Sequence, residues 1–290
     1  MSVSSGPPQT EAALEDWIGR SESADDVIMG DPLARFAAML DREGPEPRSG
    51  TNVPPGGHWL YFLTRARQSE IGADGHPERG GFMPPVALPR RMFAGARYDF
   101  RAPLRVGMEV TRTSEILSLK RKQGKSGALV FVTVRHDYVG AGGAGLTEEQ
   151  DIVYRAAPQP GAPVPTPPAA PRSASWTRTI RPDPVLLFRY SALTFNGHRI
   201  HYDRDYCRDV EGYPGLVVQG PLIATFLMDL CARERPDAFL RRFTFRAVSP
   251  LFDTGPFTVN GAPGEDGGWD LWAANPGGGL AMQASAEFAA

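Results

Sequence analysis

The sequence predicts an α+β fold of two similar halves, each an antiparallel sheet curled round an apolar helix. Three observations carry that expectation. A proline-rich run divides the chain, and the same order of helix and strand signals recurs on either side of it. In addition, RYDFRAPLRVGMEV (97–110) resembles RFTFRAVSPLFDTGPFTV (242–259): both have R-aromatic-x-F-R-A, then P-L, then a glycine, and end in valine. Strands with basic and aromatic alternation recur widely, but a match at corresponding points of both halves points to a duplicated unit.

The dividing run is AAPQPGAPVPTPPAAPRSAS (156–175). Proline cannot supply regular backbone donors and favours extended polyproline geometry. The run therefore reads as a semi-rigid linker between domains at 10–155 and 176–290. In the first half, EAALEDWIGR sets Ala13, Leu14, Trp17 and Ile18 on one helical face. DPLARFAAMLDREG has a proline near its start and a glycine at its end, the punctuation of a short helix. A Gly/Pro-rich segment and HWLYFLTRA lead to the strand-like runs RMFAGARYDFRAP, MEVTRTSEILSLKRK, GALVFVTVRHDYV and TEEQDIVYRA, with QGKSG as a hairpin turn. The second half repeats the order: a short helix, a polar loop, GLVVQGPLIATFLMDLCAR, then FTFRAVSP, PFTVNGAP, WDLWAANP and LAMQASAEF.

GLVVQGPLIATFLMDLCAR is apolar on most sides and calls for enclosure. A sheet wrapped round it provides that, and two such units hide their strand edges by pairing their sheets. This is a hot-dog architecture, doubled within one chain. The glycine-rich GAGGAGL and PGEDGGWD lie between strands with no following helix, so they read as turns and not phosphate loops.

Composition narrows the function. The 290 residues are 41% apolar and 22% charged with a net charge of −2, ordinary for a globular protein. The charges are interspersed, which excludes a nucleic-acid stripe or a polybasic membrane patch. No apolar run approaches a membrane span, and the start has neither a secretory nor a mitochondrial pattern. Two cysteines, Cys207 and Cys231, make no disulfide framework or four-thiolate zinc site. A cytoplasmic protein without nucleic-acid or membrane partners is expected.

FNGHRIHYD (195–203) holds the chemistry-bearing cluster. An imidazole of ordinary pKa is matched to proton transfer near neutral pH. His201 stands five residues after Asn196, and Gly220 later opens an apolar helix where its N–H can serve a developing oxyanion. His198 could join His201 as a metal clip, but HExxH is absent and neither cysteine is clustered with them, so no metal is expected. Tyr190, Ser191 and Thr194 could line a pocket or cap a helix, and Asn196 could serve as a helix cap. Arg199 is open between solvent, a substrate carboxylate and a carrier phosphate. Asp203 either orients His201 or pairs with an arginine. Arg241, Arg242 and Arg246 could meet carrier phosphates, although Arg97 and Arg101 at matching repeat positions favour a structural reading.

FNGHRIHYDRDYC followed by GLVVQGPLIATFLMDL resembles the hydratase motif of MaoC-like, R-specific enoyl-thioester hydratases and dehydratases. In that motif an Asp is followed five residues later by His, then by a His-Gly pair opening a helix. Here Asn196 stands at the Asp position and Gln219 precedes Gly220. HWLYFL, RMFAGARYDF, GALVFVTVRHDY and TEEQDIVYR resemble the non-catalytic partner domain of the type 2 hydroxyacyl-thioester dehydratase branch, which includes mesaconyl-C4-CoA and itaconyl-CoA hydratases. The resemblance implies reversible hydration of a trans-2-enoyl-CoA, with His201, Asn196 and Gly220 catalytic and Tyr190, Arg199, Gln219 and Arg246 near the substrate. It implies no cofactor, since the acyl carrier belongs to the substrate, and it leaves a homodimer open. An amide cannot accept a proton from water as a carboxylate can, so Asn196 shifts the acid/base work to His201. It also keeps a decayed, binding-only scaffold in view. A thioesterase is disfavoured because the helix start GPLIAT has no acidic residue.

Overall fold

The strand signals of the first half become β2 (Arg90–Phe100), β3 (Glu109–Gly124), β4 (Gly127–Gly140) and β5 (Gly143–Arg155), preceded by α1 (Ala12–Glu15), β1 (Ser21–Val27) and α2 (Gly30–Met39). The second half runs β6 (Trp176–Ile180), α3 (Pro184–Thr194), α4 (Gly220–Glu234), β7 (Leu240–Ala247), β8 (Phe257–Pro263), β9 (Trp269–Ala274) and β10 (Leu280–Phe288). This computed structural model describes residues 12–124, 127–157, 166–265 and 267–289. The N-terminal stretch read for targeting signals and positions 158–165 of the proline-rich run lie outside the described residues.

The described strands all join one ten-stranded sheet in the order β1-β3-β4-β5-β2-β7-β10-β9-β8-β6. The two halves share an internal order, β1-β3-β4-β5-β2 against β6-β8-β9-β10-β7, and meet where β2 pairs antiparallel with β7. At that seam Tyr98 faces Phe243, flanked by Arg97 with Thr244 and Asp99 with Arg242. In the internal repeat Tyr98 corresponds to Phe243, so each lies opposite its own counterpart, as an isologous pairing requires. The duplication read from the sequence is thus a pseudo-two-fold seam.

Helix α4 is buried from Leu222 to Cys231. It shares one core with Phe36, Leu60, Tyr98 and Phe100 of the first half and Phe243, Phe245, Val259 and Leu271 of the second. Its one acid in that buried span, Asp229, is held by Arg178 Nη1 at 2.6 Å and Arg233 Nε at 2.7 Å, and also by Arg42. The double hot-dog expectation needs one correction, because the first half has no counterpart of α4. Residues 61–89 contain a single 3₁₀ turn, Gln68–Glu70, and are otherwise irregular. Their Gly/Pro content (GADGHPERGGFMPPVALP) cannot sustain a helix. Val86 instead packs into a smaller core against Ile116, Val132, Ile152 and Tyr154, with Phe82, Met83 and Leu88 beside it.

Two smaller differences concern edges. The helix expected over EAALEDWIGR ends at Glu15, and SESADDV forms β1, an edge strand paired with β3 and exposed along most of its length. WTRTI forms the opposite edge, β6. No helix among the described residues is long and apolar enough to cross a membrane.

Candidate active site

Helix α3 is capped by Asp183, whose carboxylate accepts from the Leu186 N–H at 2.8 Å, and it ends at Phe195 with φ 50°. A left-handed non-glycine residue stores strain, here at the entry to the motif. It turns the chain so that Asn196 N–H returns to Ser191 O at 2.8 Å. The Asn196 side-chain oxygen accepts from His198 N–H at 3.1 Å. Only the oxygen can accept, so the Asn196 amide nitrogen keeps its two N–H groups as donors.

His201 ends a 3₁₀ turn, Arg199–His201, and is 7% exposed. Its Nδ1 lies 2.7 Å from Val217 O. A carbonyl only accepts, so Nδ1 carries the proton and Nε2 presents a lone pair. Burial pushes the imidazole down to about 4 against the raising effect of the Val217 bond, with the His76 ring adding to the depression. His201 is therefore neutral at neutral pH, with Nε2 unprotonated. His198 is held at about 2 by burial and by the neighbouring His76 and His201 rings.

The first half contributes directly to this cluster. Residues 70–78 form a tight hairpin, closed by Glu78 N–H to Glu70 O and Gly72 N–H to His76 O, both at 2.8 Å, with Asp74, Gly75 and His76 around its tip. The tip lies against the motif. Arg199 N–H donates to Asp74 O at 2.9 Å, and the His76 and His198 rings are 4.1 Å apart. Gly75, at φ +90°, sits so close that a Cβ would lie 1.9 Å from Gly197 O. The glycine–glycine approach admits no side chain. Burial would raise the Asp74 carboxyl, but hydrogen bonds from the His76 ring and N–H hold it well below the usual range. Asp74, His76 and His198 have the donor types of a metal site, with ligand atoms within 4.8 Å of one another. Zinc ligands about 2 Å from the ion lie closer together than that limit guarantees.

The other candidates are placed as follows. Arg199 donates to Asp203 at 2.7 and 3.0 Å and to Ala73 O at 3.1 Å, and lies over the Tyr206 ring. It straps the hairpin to the motif, and Asp203 is its partner. Gln219 directs Nε2 to Leu187 O at 2.9 Å and Ser191 Oγ at 3.0 Å, tying α4 to α3, while its Oε1 is buried without a partner. Tyr190 is buried in the core, and its hydroxyl, like that of Thr225 on α4, has no hydrogen bond among the described residues. Arg246 is exposed on β7 beside inward-facing Phe245, so it points away from α4 and the histidines. Among its companions, Arg97 pairs with Glu149 and Asp151, Arg241 with Asp99 and Arg242 with Glu287, which accounts for them structurally. Gly220 starts α4, and among the described residues only Phe93 O, at 3.8 Å, lies within 4 Å of where its Cβ would be. Protein packing thus leaves room beside the helix N-terminus. A separate apolar cleft, lined by Val53, Phe100, Leu104, Met228 and Leu240, lies near the other end of α4.

The profile of hydroxyacyl-thioester dehydratase type 2 matches residues 56–253. The chain belongs to that family. It is 49% identical to the mesaconyl-C(4)-CoA hydratase of Chloroflexus aurantiacus, over 94% of this chain and 96% of that protein. A solved MaoC-like dehydratase superposes with TM-score 0.71 at 14% identity, covering 94% of this chain and 98% of the other. A Mycobacterium tuberculosis protein with a double hotdog fold superposes with TM-score 0.57 at 13% identity, covering 94% and 96%. The protein is accordingly a hydro-lyase acting on acyl thioesters, built on the double hot-dog fold. His76 and Asp74 were not singled out from the sequence. The available signal was ADGHPERGG, a glycine beside a histidine in a turn-rich stretch.

Proposed function

We propose that the protein adds water reversibly across the double bond of a trans-2-enoyl-CoA, with His201 as the acid/base residue. The observation that carries this reading is the His201 tautomer: Nδ1–H is committed to Val217 O, so Nε2 is the free base. In the hydration direction, Nε2 takes a proton from water as the water oxygen bonds to the β-carbon. The displaced π electrons move through the α-carbon to the thioester oxygen. Gly220 N–H, at the start of α4, donates to that oxygen with the helix dipole behind it. The imidazolium then returns the proton to the α-carbon, and dehydration reverses each step. The Asn196 amide N–H donates to a lone pair of the water and orients it, a task that needs no carboxylate.

The acyl group proposed is a short carboxylated one of the 3-methylfumaryl type, supported by the likeness to the Chloroflexus hydratase. The two free, buried cysteines suit a reducing compartment, the cytoplasm. A pairing of two chains is compatible with this site, which lies within one chain. The test follows loss of enoyl-thioester absorbance with crotonyl-CoA, longer enoyl-CoAs, mesaconyl-C4-CoA and itaconyl-CoA. Turnover of one substrate that disappears in His201→Ala is expected. Tight binding without turnover of any would make the chain a thioester-binding scaffold.

A further inference from the structure

We propose that Arg91, with the Tyr154 hydroxyl, forms an anion subsite that receives a carboxylate on the acyl part of the substrate. The inference rests on the hydration reading and names the group that selects the acyl chain. Arg91 on β2 pairs in register with Tyr154 on β5. Residues directly opposite across an antiparallel pair project to the same face of the sheet. Tyr154 is fully buried on that face, within the first-half core. Arg91 therefore points inward too, and it is only partly buried.

The neighbouring arginines have partners. Arg79 donates to Leu88 O at 2.6 Å and Pro89 O at 2.7 Å and lies over the Tyr154 ring. Arg90 is paired with Glu211 at 2.9 Å, and Arg199 with Asp203. Among the described residues the Arg91 guanidinium makes no hydrogen bond or ion pair, and the buried Tyr154 hydroxyl likewise lacks a partner. The unpaired buried hydroxyl disfavours the fold as it stands, and the partly buried cation beside it has only solvent to meet. An anion resolves both, since a carboxylate takes two N–H donors from guanidinium and a further O–H.

The position suits the acyl end of the substrate. Arg91 acts electrostatically on His76, His198 and Tyr154, which places its charge beside the catalytic motif. Phe93, two residues further along β2, presents its carbonyl near Gly220, where the thioester oxygen is read to bind. That spacing is about 7 Å along the strand, and the arginine side chain has the reach to close it on a short acyl skeleton. A carrier phosphate would have to come from the far end of the pantetheine arm.

The experiment compares 3-methylfumaryl-CoA with 3-methylcrotonyl-CoA, which carries a methyl in place of the carboxylate. Wild type, Arg91→Gln and Tyr154→Phe are assayed for kcat/KM. Binding of the saturated pair, methylsuccinyl-CoA (thioester at C4) and isovaleryl-CoA, is measured by calorimetry. Tyr154→Phe removes only the unpartnered hydroxyl, so it keeps the packing. The expected result is that Arg91→Gln lowers the preference for the carboxylated member ~100-fold and Tyr154→Phe ~10-fold, in turnover and in binding alike. The loss should persist with pantetheine thioesters, which lack the carrier phosphates. An unchanged preference in Arg91→Gln, or a loss that vanishes with pantetheine thioesters, overturns the proposal. So does a wild type that hydrates only the neutral member, and in that case hydration itself stands. If wild type hydrates neither, the hydration reading falls, and the binding preference alone decides the subsite.

Discussion

Replacing Gly75 by alanine tests whether the first half is part of the active site. The new Cβ would lie 1.9 Å from Gly197 O, whereas ordinary contact begins at 3.4 Å, so the hairpin must retreat by about 1.5 Å. That stretches the Arg199 N–H to Asp74 O bond from 2.9 Å to roughly 4.4 Å and separates His76 from His198. A positive φ costs alanine ~1–2 kcal/mol, and the lost hydrogen bond adds ~1 kcal/mol. The sum, ~2–3 kcal/mol, lowers Tm by about 3–5 °C for a chain of this size. A displacement of this scale at a catalytic constellation costs ~100-fold in rate. Gly50→Ala is the control, because Gly50 has φ +86° with nothing within 4 Å of the added carbon. It should lose ~1–2 kcal/mol and keep its kcat/KM. Thermal melts and initial hydration rates on both variants decide the matter. If Gly75→Ala keeps kcat/KM within about twofold of wild type while its Tm falls like that of Gly50→Ala, the hairpin has no part in the chemistry.

Three further predictions follow from charge. With His201 held at about 4, the acid limb of the kcat/KM profile should fall near pH 4–5 and not near 6.5; a midpoint at 6.5 in stopped-flow rates would contradict the assigned burial. Because that folded pKa lies below the unfolded value, the unfolded chain binds the extra proton. The ~3 kcal/mol contributed by neutral His201 is thus present above pH 6.5 and lost as pH falls towards 4, readable in urea midpoints. Asp229→Asn leaves Arg42, Arg178 and Arg233 crowded round a neutral amide and should cost ~3 kcal/mol in urea denaturation; a loss under about 1 kcal/mol would mean the arginines re-pair with water.

The long strands were legible because their inward positions alternate, as in Val130, Val132 and Val134, and α4 because it is apolar nearly all round. Strand β1 was not, since SESADDV is exposed on both faces and carries no period-two signal. The missing first-half helix shows where the duplication argument overreached: the repeat holds for the sheet, but GADGHPERGG obeys its own glycines and proline. At the candidate site, Asn196, His201 and Gly220 were singled out by their spacing and by the hydratase-motif resemblance that this spacing carries. The hairpin was not, because Arg199 reaches Ala73 across 126 residues and no local pattern reports such a contact. Arg199 itself shows the limit of residue type as a guide, since its fork serves a chain carboxylate and a carbonyl.

The most direct test of the account is the mass of the product formed in ¹⁸O-labelled water by wild type and by His201→Gln, with thioester binding measured in parallel. The account predicts one ¹⁸O at the β-carbon with wild type, and no labelled product with His201→Gln although the thioester still binds. Labelled product from His201→Gln at a rate near wild type would show that another residue activates the water.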